Sequence, residues 1–194
     1  VNESQPSQVL TEDELLHLAI EASNRERYDL SIGYLKQALT HPGDLASRTS
    51  FLLGTQYAQI GMYVDAEQYM HQSIELDPGF EIAVFQLGLL QLTSGKADAA
   101  RASWQGLDFL PADHCLKHFR QGLLALEQNS LADAEAALKQ GLATPVDNVP
   151  LKAEMERILN NVIQMQLTTQ ANGAADGSGS DASDEHVFLS AYRS

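Results

Sequence analysis

Small residues return in this chain at a fixed interval, and that interval dictates what it can fold into. Gly54, Gly88 and Gly122 are each 34 residues apart, and Ala66, Ala100 and Ala134 keep the same phase. Proline follows at Pro78, Pro111 and Pro145. Between these marks the apolar residues fall at helical rather than alternating spacing, with turns expected near Gly61 and Gly95. A period of roughly 20–50 residues belongs to arrays of one supersecondary unit. Each unit here reads as helix A, a turn and helix B. Small side chains sit where the two antiparallel helices must approach, and Tyr57, Met70 and Trp104 fill the space beside them. One such hairpin cannot bury its apolar face alone, so successive units have to stack.

Written out, the second unit is Ser50-x-x-Leu53-Gly54-x-x-Tyr57, followed by Ala66, Met70 and Pro78. The third is Val84-x-x-Leu87-Gly88-x-x-Gln91, with Ala100, Trp104 and Pro111. The fourth is His118-x-x-Gln121-Gly122-x-x-Ala125, with Ala134, Leu138 and Pro145. A weaker first copy is Leu15-x-x-Leu18-Ala19-x-x-Ala22, with Ser31, Leu35 and Pro42. This pattern resembles the tetratricopeptide repeat (TPR) family, with about four repeats over residues 12–148. The resemblance implies an all-α solenoid of antiparallel helix pairs forming a right-handed superhelix, closed by a C-terminal capping helix at residues 150–167. Thr11 and Glu14 make a capping box for the first helix, with acidic residues in its first turn. The expected organisation is a flexible N-terminal segment (1–11), the TPR domain with its cap helix (12–167), a flexible linker (168–185) and an apolar C-terminal peptide (186–194).

Composition then excludes several classes. Of 194 residues 44% are apolar, enough for a core and too many for a disordered chain. The net charge of −14 has the wrong sign for a phosphate backbone or an anionic membrane surface, so nucleic acid is not an expected partner. No apolar run approaches the roughly 18–20 residues of a membrane span. Cys115 is the single cysteine, which rules out an intrachain disulfide framework and a Cys-only zinc site. The opening at Val1, without a signal-like pattern, reads as a processed or cut end; a cytoplasmic setting is favoured, with a periplasmic or membrane-tethered one left open.

Candidate chemistry is thin. His114 and His118 stand one helical turn apart beside Cys115, a conceivable metal pair. No acidic or cysteine partner recurs at ligand spacing near them, and His118 occupies a slot that TPR repeats fill with a large helix-A residue. Cys115 has no base at a spacing that would aim at it. No phosphate-binding loop follows a strand pattern. The expectation is a non-enzyme with no metal and no cofactor.

The TPR resemblance places the binding groove on the A helices, at the fifth, ninth and twelfth residue of each repeat. Those positions are Leu16, Phe51, Phe85 and Phe119; Ile20, Thr55, Leu89 and Leu123; and Ser23, Ala58, Leu92 and Leu126. Arg48 and Arg120 stand nearby as basic points. The lining is apolar where chaperone-tail adaptors of the family carry Lys, Asn and Arg, so that role is disfavoured. The expected function is groove recognition of a short apolar or aromatic motif in a protein or peptide partner. The competing reading of the phenylalanines is that some are interior to the stack and purely structural. The segment HVFLSAYRS, through Val187, Phe188, Leu189 and Tyr192, is itself a candidate occupant in cis or in trans, either native or a fused partner peptide. The alternative function is an assembly scaffold, a homo-oligomer included, that uses the convex face or the cap helix.

Overall fold

The computed structural model describes residues 10–173. Among them it shows α1 (Glu12–Asn24), α2 (Tyr28–Ala38), α3 (Ala46–Gln59), α4 (Tyr63–Leu76), α5 (Glu81–Thr93), α6 (Ala97–Trp104), α7 (Cys115–Glu127), α8 (Leu131–Ala143) and α9 (Val149–Gly173). A 3-10 turn, Gln105–Leu107, follows α6. No strand occurs among the described residues, so the expected all-α class of consecutive helix pairs is the one observed. The chain divides into two compact units, one ending at Gly106 and one starting at Leu107. In the first, each helix from α1 to α6 packs against its neighbour in sequence; in the second, α8 packs against both α7 and α9.

The helix ends are written locally. Thr11 accepts from the Glu14 amide while the Glu14 carboxylate accepts from the Thr11 amide at 2.8 Å, completing the capping box. All four A-to-B turns then use one device. Glu26, Gly61, Gly95 and Asn129 take positive φ angles of 57°, 78°, 76° and 59°. In each turn the following amide reaches back to a carbonyl five residues earlier: Arg27 to Ala22, Met62 to Tyr57, Lys96 to Gln91 and Ser130 to Ala125, at 2.8–2.9 Å. This is the Schellman ending, which satisfies carbonyls that the stopping helix would otherwise leave unpaired.

Packing explains the glycine period. A Cβ at Gly88 would run into the indole of Trp104, so α5 and α6 approach only because that carbon is missing. The first unit's core joins Leu16, Ala19, Leu35, Leu53, Tyr57 and Ala66. The second unit buries Leu116, Phe119, Leu138, Met155, Ile158 and Val162.

Two element lengths depart from the period. Helix α6 stops after 8 residues, whereas its equivalent α4 runs for 14. The 3-10 turn therefore spans the boundary between the two units, and residues 108–114 form the connecting loop from it to α7. Helix α9 runs to Gly173, past residue 167 where the cap helix was expected to end. The polar residues Thr168 and Thr169 continue it, each hydroxyl donating to a carbonyl four residues earlier. Among the described residues no helix is long and apolar enough to cross a membrane.

Candidate ligand-binding face

The predicted lining divides sharply by repeat. On α1, Leu16 is part of the core cluster, while Ile20 is 38% exposed and Ser23 is half-buried. On α3, Arg48 is exposed, and Phe51, Thr55 and Ala58 are half-buried. Phe51 meets Phe80 edge-on, with ring centroids 5.2 Å apart. The Thr55 hydroxyl donates to the Leu52 carbonyl at 2.7 Å. Apart from Leu16, these α1 and α3 positions retain side-chain surface in the first unit.

The later repeats do not. Phe85 is fully buried and stacks on Trp104 with centroids 5.9 Å apart. The indole N–H donates to the carbonyl of Phe85 itself at 2.9 Å. Leu89 and Leu92 are buried on the same helix. In the second unit Phe119 is fully buried against Gly141 of α8, and Leu123 and Leu126 are buried with it. The expectation that all three phenylalanines face an open groove is therefore corrected: Phe85 and Phe119 are interior, each packed on the B helix of its own hairpin. For α5 the sequence carried the sign, since EIAVFQLGLLQLT is apolar around its whole circumference, the mark of a buried helix. Arg120 donates to the Asp108 carboxylate at 2.8 Å, which holds that carboxyl below its usual range. The arginine thus pins the connecting loop.

Two exposed apolar features escaped the sequence reading. At the α3–α4 turn and the start of α4, Ile60, Met62, Tyr63 and Val64 are all exposed, Tyr63 being 55% and Val64 79%. The signal was available: the third and fourth repeats place Ser94-Gly95-Lys96 and Gln128-Asn129-Ser130 at the same turn. In the connecting loop Phe109 is 63% exposed, and Lys117 donates to the carbonyls of Asp108 and Leu110 on either side of it.

Polar bonds tie the middle of the first unit. Lys96 donates to Glu67 at 2.6 Å, Gln91 donates to the same carboxylate at 3.0 Å, and Ser103 donates to Gln91 at 2.8 Å. The lysine contact, aided by Gln91 and opposed by partial burial, holds the Glu67 carboxyl below its ordinary value. Gln91 occupies the slot that Tyr57 fills one repeat earlier and turns it from aromatic to polar packing.

The histidine cluster is put to a structural use. His114 caps α7, its Nδ1 accepting from the Leu116 amide at 3.3 Å, and Cys115 is buried. Among the described residues no three His, Cys, Asp or Glu side chains converge as a metal site would require. Val187, Phe188, Leu189 and Tyr192 lie outside the described residues.

No family model matches the chain. It is 30% identical over 128 residues to DnaJ homolog subfamily C member 3 of Homo sapiens, covering 66% of this chain and 25% of that protein. The Mus musculus protein of the same name is 29% identical over 126 residues, covering 64% and 25%. The chain thus matches about a quarter of the length of these curated relatives. The crystal structure of MamA protein superimposes with a TM-score of 0.56 at 16% identity, covering 88% of this chain and 98% of that one. With the helix pairs described above, that likeness fixes an all-α, TPR-like fold.

Proposed function

We propose that this chain is a protein-interaction module that binds a short apolar or aromatic linear motif on the A-helix face of its first unit. Phe51 and Ile20 supply the anchoring contacts, Thr55 a small polar rim and Arg48 a charge at the edge. Leu16, Phe85, Leu89, Leu92, Phe119, Leu123 and Leu126 support the A helices from within. One observation carries the reading: Phe51 keeps exposed surface at the repeat position where Phe85 and Phe119 are sealed. Binding energy concentrates on a few aromatic anchors of this kind. The HVFLSAYRS segment is one candidate ligand, in cis or in trans. The role is non-enzymatic, with no cofactor and no nucleic-acid partner.

A displayed-peptide selection tests this directly. The expected enrichment is for aromatic and aliphatic motifs, and Phe51→Glu should weaken the enriched peptides by about tenfold or more, the loss of one anchor. Selection of nothing, or equal binding by Phe51→Glu with its helix content intact, overturns the proposal. A second reading, a self-associating scaffold, draws on the protruding turn at residues 60–64 and predicts a concentration-dependent mass that Val64→Asp abolishes.

A further inference from the structure

Arg48, Phe51 and Thr55 follow one another at helical spacing on α3, so their side chains share one face of the helix. In the middle of that face the half-buried Phe51 ring meets the half-buried Phe80 ring at an interplanar angle of 69°. Phe80 is held by its own loop. Its amide donates to the Asp77 carbonyl at 3.1 Å, and the Gly79 amide donates to the Asp77 carboxylate at 3.0 Å. The two rings thus form a fixed apolar corner. Towards the C-terminal end of α3 the Thr55 hydroxyl is committed to the Leu52 carbonyl. Towards its start the exposed Arg48 stands one turn before Phe51.

Charge sets Arg48 apart. In a chain of net charge −14, Arg25, Arg27, Arg101 and Arg120 each hold a carboxylate of this chain. Arg48 forms no ion pair among the described residues, although Asp44 stands four residues before it. A guanidinium with free donors beside an apolar corner is matched by a planar carboxylate on whatever fills the corner. The acidic chain as a whole repels a ligand whose negative charge is spread along it, so one carboxylate in one place is rewarded. Spacing says where. The helix rises about 4.5 Å from Arg48 to Phe51. Side chains two apart in an extended peptide point the same way about 7 Å apart, a difference the long arginine spans. We propose that the motif bound on the Phe51 face carries an acidic side chain two residues from its anchor, with the carboxylate on Arg48 and the anchor against Phe51 and Phe80. This rests on the motif-binding role proposed above and adds the charge its ligand must carry.

The test is an amide-shift NMR titration of the full chain with capped peptides. The pair acetyl-GSESFLSGS-amide and acetyl-GSLFSESGS-amide sets the acid on either side of the anchor, and each has a glutamine and a lysine counterpart. In one of the two orientations the glutamate peptide should bind about threefold to fivefold more tightly than its glutamine counterpart, the scale of a well-directed exposed ion pair. That advantage should vanish in 1 M salt, where the neutral peptide keeps its affinity. Arg48→Glu, at an exposed position, should reverse the order and make the lysine peptide the tightest. Phe80→Ala should weaken the glutamate and glutamine peptides by the same factor. Equal, Phe51-dependent binding of glutamate and glutamine peptides overturns the acidic assignment and leaves the motif-binding face standing. A glutamate preference that persists in Arg48→Glu, or a gain confined to acetyl-GSLFS with a free carboxyl end, overturns it too. No binding of any peptide, or binding that survives Phe51→Glu, overturns the face and this inference together.

Discussion

Glu26 adopts a backbone conformation that L side chains resist. Its φ of 57° sits in the left-handed region at the turn where the second and third repeats use glycine and the fourth uses asparagine. The penalty for a residue with a Cβ there is about 1 kcal/mol, which glycine escapes and asparagine partly offsets. Glu26→Gly should therefore stabilise the chain by about 0.5–1 kcal/mol, and Gly95→Ala should destabilise it by about 1 kcal/mol. Urea midpoints of the two variants check this, and equal shifts in one direction would refute it. The same residues show where sequence reading stops. Gly61 and Gly95 announce their turns because glycine is the default for positive φ. Glu26 and Asn129 form the same turn without that sign, since what fixes them is the returning hydrogen bond, which no side chain encodes.

At the scale of helices, the repeat pattern was legible because it records how closely two backbones approach. Gly88 opposite Trp104 is a contact within one hairpin, and sequence spacing alone places both partners. The fate of Phe85 was not legible in that way. Periodicity assigns a residue to a face of a helix without saying what covers the face. Phe51, Phe85 and Phe119 share one repeat position, yet only Phe51 keeps surface. The energetic contrast follows from burial. Phe85→Ala empties a sealed site beside Trp104 and should cost about 3–5 kcal/mol. Phe51→Ala should cost about 1 kcal/mol, in the range of an ordinary partly exposed substitution. Chemical denaturation of the two variants measures the difference, and equal losses would mean that the two rings are equally interior.

Across the whole chain the contacts fall into two compact units, and repeat proteins need not lose structure everywhere at once. The one tryptophan, Trp104, lies in the first of them, fully buried and hydrogen-bonded to the Phe85 carbonyl. An indole in such surroundings fluoresces at shorter wavelength than one in water, so the colour of its emission reports on the packing around the α5–α6 hairpin rather than on the second unit's own helices. Far-ultraviolet circular dichroism instead sums over every helix. Unfolding curves recorded by the two signals should separate, and superimposable curves would show a single cooperative transition. The molecule thus carries its own local optical gauge, seated in the hairpin that ends where the first unit ends.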